Sequence, residues 1–127
     1  MASNIIEITS KDIIFKGSVP LIKNTTGKMG MLLVSVKWCP HCVNFKPIYS
    51  QFADITSKDF VLFHLDGDSA KNILPKLGVE GFPTIFNITK NNTLSKYTEP
   101  RDLFNLTKEF CKRVRTGDIC RVSYSKN

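Results

Sequence analysis

The strongest constraint on this fold is the stretch from Met29 to Lys37, an almost unbroken apolar run that leads straight into Trp38-Cys39-Pro40-His41-Cys42. A run of this kind reads as a central strand covered on both faces. Beyond it, Val43, Phe45, Ile48, Tyr49, Phe52 and Ile55 recur at helical spacing as far as about Ser57. Pro40 falls in the first turn, where a missing N–H is tolerated, and Pro47 inside the helix is expected to bend it. The cysteines therefore stand where a buried strand hands over to a helix.

The remaining pattern supplies the partners of that strand. Ile5 to Ile8 reads as a short first strand, while Lys11 to Asn24 fits neither period and stays unassigned. Phe60 to Leu65 is a second buried strand, closed by Asp66-Gly67-Asp68, and Ser69 is placed to cap a helix running through Ile73, Leu74 and Leu77 to Gly78. Gly81-Phe82-Pro83-Thr84 precedes a strand from Ile85 to Ile88, and Asn91-Asn92 turns the chain into Leu94 to Tyr97. A final amphipathic helix is expected from about Arg101 to Val114. The order implies an α/β fold, a central mixed sheet flanked by helices on both faces.

A cysteine attacks a disulfide as its thiolate, so exchange chemistry needs one sulfur with a lowered pKa and a second within reach. Cys39 meets unpaired backbone N–H groups and the positive end of the helix dipole. Cys42 lies one turn further on, close enough to close a small disulfide ring. A protonated His41 would stabilise the Cys39 thiolate and make the disulfide more oxidising. Trp38 would shield the pair and offer an apolar face to an incoming peptide.

A zinc centre is the competing use of two cysteines at this spacing, but it needs two more ligands. The candidates, His64 within a strand and the widely separated Cys111 and Cys120, do not complete a set, so no metal and no other cofactor is expected. Cys111 and Cys120 are expected to be free thiols, with a bridge as the alternative after isolation in air, which requires the tail to fold back.

At 127 residues the chain can bury a core without disulfide staples, and four cysteines are too few for a disulfide scaffold. A net charge of +7 would suit acidic partners, yet the basic residues are scattered and no aromatics interleave with them, so a solvated surface is expected, without nucleic-acid or membrane binding. The N-terminus carries no cationic and apolar leader pattern, from which a soluble, cytoplasmic protein is expected.

Together, Trp38-Cys39-Pro40-His41-Cys42, Pro47 and Gly81-Phe82-Pro83-Thr84 resemble the thioredoxin superfamily in order and spacing, over roughly Ile5 to Arg113. The resemblance implies a single thioredoxin-like domain over 1–127, with its core at about 5–114 and a tail at 115–127. It implies a protein-disulfide oxidoreductase in which Cys39 is the nucleophile and Cys42 resolves the mixed disulfide. Pro83 would follow a cis bond beside the cysteines, and Phe82 would pair through its backbone with an extended substrate, alongside Trp38 and Pro40. The implied partners are protein thiols and disulfides plus an unidentified redox partner, a reductase or glutathione, acting on a monomer. The other use of such a fold is a protein-binding module with little turnover.

Two departures stand out. Where the superfamily usually buries an acidic residue beneath the resolving cysteine this chain has Leu33, and the lysine often paired with it is replaced by Leu62. The Cys42 proton would then leave to water or to His41. Glu99 occupies a position near the substrate groove where glycine is common.

Overall fold

The structure, a computed structural model, describes residues 4–115 and 119–120. Its elements are β1 (Ile5–Ile8), a 3-10 turn (Ser10–Asp12), β2 (Ile13–Lys16), β3 (Val19–Ile22), β4 (Gly30–Ser35), α1 (Pro40–Thr56), β5 (Val61–Asp66), α2 (Leu74–Leu77), β6 (Thr84–Ile88), β7 (Leu94–Lys96) and α3 (Leu103–Arg113). Five strands form one sheet in the order β1-β5-β4-β6-β7. The β1–β5 and β4–β5 pairs are parallel, whereas β4–β6 and β6–β7 are antiparallel.

The apolar run lands in the middle of this sheet, and all six residues of β4 are buried. Gly30 opens it because β5 passes so close that a Cβ there would meet the Val61 carbonyl oxygen at 1.8 Å. On one face, Met31 and Leu33 of β4, Leu62 of β5 and Ile85 of β6 pack under Phe45, Tyr49 and Phe52 of α1 and Leu106 and Phe110 of α3. On the other face, Leu32, Val34, Phe63 and Leu65 pack against the β2–β3 hairpin and the Ile73–Leu77 turn of α2. Helices therefore cover both faces of a mixed sheet, as the alternation of elements implies.

Several expectations are corrected. Lys11 to Asn24, unassigned by periodicity, is a turn followed by an antiparallel hairpin that forms its own two-stranded sheet. It reads as neither period because Ile13 and Ile22 are buried while Ile14 and Val19 are exposed, and Gly17 takes a positive φ between the strands. Ser69 does not cap α2; its hydroxyl donates to the Asp66 carbonyl, and the helix starts only at Leu74. Along α1 the buried stripe is Cys42, Phe45, Tyr49, Phe52, Ala53 and Thr56, whereas Val43 and Ile55 face solvent. Cys42 thus belongs to the face that seats α1 on the sheet.

Cys111 and Cys120, expected as free thiols, form a disulfide with Cα atoms 5.4 Å apart. Helix α3 ends at Arg113, and both cysteines are buried in the α1–α3 layer. Apart from residues 115, 119 and 120, the expected tail lies outside the described residues. A Cys39/Cys42 double serine variant, denatured without reductant, is expected to titrate no free thiol and to gain two after reduction. Two free thiols before reduction would mean the bridge is absent in solution.

Candidate functional site

Cys39 is the N-cap residue of α1, in extended conformation with Pro40 in the first turn. The Val43 N–H donates to the Cys39 carbonyl at 3.0 Å, which closes the first helical turn. No side chain caps this end, so the free backbone N–H groups of the first turn point toward the Cys39 sulfur. Its pKa is lowered, first by the Cys42 backbone N–H. Burial opposes this, and the Cys42 thiol, the His41 backbone N–H and the Arg101 charge reinforce it. Both cysteines are free thiols here.

Cys42 has the opposite environment. It packs with Val36 and Phe82 beneath Cys39, at 1 % exposure, and burial pushes its thiol up; only the Val36 backbone and the Arg101 charge pull the other way. The two sulfurs are thus driven apart in acidity by position alone. One faces a helix N-terminus and the other the core.

Phe82 and Pro83 meet the pair from the β6 side. The Phe82–Pro83 bond is cis, and the Cys39 thiol donates to the Phe82 carbonyl at 3.6 Å. Trp38 is two-thirds exposed, stacked edge-on to Phe82 with ring centroids 6.0 Å apart, and its indole N–H donates to the Asp68 carboxylate at 3.1 Å. A groove with a volume of ≈ 410 Å³ runs away from Pro83 between Gly81, Thr84, Tyr97 and Arg101, with Glu99 on its rim.

Of the residues singled out by sequence, Trp38, Cys39, Cys42, Phe82 and Pro83 converge at one end of β4. Pro40 contributes through the first helical turn. His41 is exposed, and it is its backbone N–H that acts on Cys39; its side chain lines a shallow depression with Asn44 and Arg101. Arg101 was missed. It follows Glu99 and Pro100 in the loop after β7, and its charge reaches both sulfurs. The only sequence signal for it was that this loop leads from the last strand back over the groove.

Comparison with known proteins gives a consistent picture. The family model described as Thioredoxin matches residues 21–112. Among curated relatives, the chain is 35% identical over 83 residues to protein disulfide isomerase-like 2-2 of Oryza sativa subsp. japonica, covering 63% of this chain and 22% of that protein. It is 33% identical over 93 residues to protein disulfide-isomerase erp38 of Neurospora crassa, covering 70% of this chain and 25% of the relative. The chain spans about a quarter or less of the length of these relatives. Among solved structures, the J-Trx1 fragment of ERdj5 superposes with a TM-score of 0.71 at 18% identity, covering 91% of this chain and 52% of that one. The Trx4 domain of ERdj5 gives 0.67 at 16% identity, covering 89% and 97%.

Proposed function

The chain belongs to the thioredoxin family, and from that premise we propose that it exchanges disulfides with protein partners, with Cys39 as nucleophile and Cys42 as resolving thiol. The observation that carries this reading is the split between the sulfurs. The helix N-terminus lowers the Cys39 pKa, while burial raises that of Cys42. Cys39 is therefore the more readily ionised of the two thiols, and Cys42 beneath it holds its proton more firmly.

Substrate enters as an extended segment in the groove beside Pro83, which Phe82, Glu99 and Arg101 line, with the Trp38 ring against Phe82. The Cys39 thiolate attacks one sulfur of the partner's disulfide. A mixed disulfide forms, and the other partner sulfur leaves as a thiolate. Cys42 then attacks Cys39, the Cys39–Cys42 bond forms, and the partner is released fully reduced. In reverse the same steps oxidise a partner dithiol, and the concentration and potential of the redox partner set the direction. A reductase or the glutathione pool would fill that role.

The test is to trap the intermediate. Cys42→Ser is expected to leave the first attack intact and to accumulate a mixed disulfide at Cys39 with a disulfide-bonded peptide, while turnover in insulin reduction falls to background. Retained turnover without an adduct would rule out these roles. Full binding of peptide without any exchange by the wild type would place the chain among binding modules instead.

A further inference from the structure

Ser35 of β4, His64 of β5 and Glu7 of β1 lie side by side across three adjacent strands. Ser35 Oγ is 2.6 Å from His64 Nε2, and His64 Nδ1 is 2.6 Å from Glu7 Oε1. An ionised carboxylate only accepts, so Nδ1 carries the proton given to Glu7, and Nε2 accepts from the Ser35 hydroxyl. The Ser35 oxygen keeps its own lone pairs free. In the sequence, His64 stood out only as a strand residue of an incomplete zinc set.

A serine, a histidine and a carboxylate in a row invite comparison with hydrolytic sites, but Ser35 is 1 % exposed and no substrate reaches it. What it faces is inside the protein. Leu33 shares a small cavity with Lys46, Tyr49 and Ser50 of α1 and with His64. Ser35 lies on the same face of β4, two residues and roughly 6.6 Å further along the strand. About four residues of helix cover that distance, so the register moves from Lys46 back to Cys42. Cys42 lies at this end of β4, packed against Val36 and with its sulfur beside the Val36 backbone, the peptide that follows Ser35. Cys42 is 1 % exposed, so a polar group at this end of β4 is better placed than bulk water to take its proton.

We propose that Ser35, His64 and Glu7 form the proton relay for Cys42 during resolution of the mixed disulfide, in place of the buried carboxylate that Leu33 excludes. This rests on the oxidoreductase reading above. As Cys42 attacks, its proton passes to Ser35 Oγ while the Ser35 proton passes to His64 Nε2. The Cys39–Cys42 bond forms, the bond to the partner sulfur breaks, and the partner leaves as a thiolate. The imidazolium is then paired with Glu7, whose side chain is 54% exposed and opens the relay to water. Glu7 favours this cation, and Lys46, facing the same cavity from α1, disfavours it; Tyr49 there is neutral because burial holds its hydroxyl protonated. His64 and Glu7 act through Ser35 and are positioning residues in this scheme.

Stopped-flow mixing of the reduced protein with one equivalent of 5,5′-dithiobis(2-nitrobenzoate) separates the steps. The first thionitrobenzoate released reports attack by Cys39, and the second reports resolution by Cys42. For the wild type, the second phase is expected to level off before pH reaches the ordinary thiol range near about 8.5. His64→Gln and Ser35→Ala are expected to remove that plateau, leaving a rate that climbs about tenfold per pH unit and is on the order of a hundredfold slower at pH 7, with the first phase unchanged. Glu7→Gln, at an exposed position that leaves the core intact, is expected to slow the second phase about tenfold. It decides the matter if the buried variants do not fold. Second phases that superimpose on the wild type in rate and pH profile would overturn the relay and leave the oxidoreductase reading standing. Failure of the wild type to give a first phase would overturn both.

Discussion

Cys39→Ser is expected to reduce disulfide exchange by at least about a thousandfold, to the background rate of the reagents. A serine hydroxyl at the head of α1 receives the same N–H groups and the same dipole, but it does not ionise near neutral pH and cannot form a disulfide. The pH dependence of the first attack follows from the direction of the Cys39 shift. Its pKa lies below the ordinary thiol value, so the thiolate persists as pH falls to that lowered value, and attack slows only below it. A free cysteine would already have lost most of its reactivity there. Insulin reduction and alkylation rate against pH check both points. Residual exchange in Cys39→Ser would transfer the nucleophile to Cys42. An alkylation midpoint at the ordinary thiol value would show that the helix N-terminus does not act on Cys39.

Phe52→Ala is the second large effect, and it acts on stability. Phe52 is fully buried, with its ring edge-on to both Phe60 and Phe110 at centroid distances of 6.2 and 6.5 Å, where α1 and α3 meet over the sheet. Truncation leaves a cavity among rigid aromatic neighbours that cannot collapse into it, and the expected loss is about 3–5 kcal/mol. Against a total stability of about 5–15 kcal/mol this is a large fraction, equivalent to a fall in Tm on the order of 10–20 °C. Denaturant titration at fixed pH measures it. A loss of less than about 1 kcal/mol would show that the α1–α3 seam repacks. The function depends on this seam, because the buried stripe of α1 that includes Phe52 also carries Cys42.

Much of this was legible because the physics is local. The burial of β4 on both faces shows in an unbroken apolar run, and the helix shows in a periodic stripe. Strand β1 matches its expected bounds of Ile5–Ile8, and α1 ends within a residue of its expected end. The cysteine pair was visible because its chemistry needs only one helical turn. What remained hidden depends on register between distant segments. Ser35, His64 and Glu7 sit in three strands separated in sequence by a helix and a hairpin, and only the pairings Leu33↔His64 and Glu7↔His64 bring them together. Val43 and Ile55 misled because apolar residues at helical spacing do not reveal which face of α1 meets the sheet. The Cys111–Cys120 bridge was missed because spacing alone says nothing of where a helix stops.

The two borders of the sheet carry a consequence for association between copies. Strand β1 has four residues and β7 three, with Lys96 at the end of β7. So few unpaired N–H and C=O groups give an incoming strand little to template on, and a lysine on the rim adds charge against it. A protein that engages extended chains, as proposed for this one, is exposed to strand addition along its edges. The groove beside Pro83 lies where β6 begins and β7 ends, so a segment bound there as proposed would meet the ends of these strands, with Lys96 beside it, rather than the length of a free border.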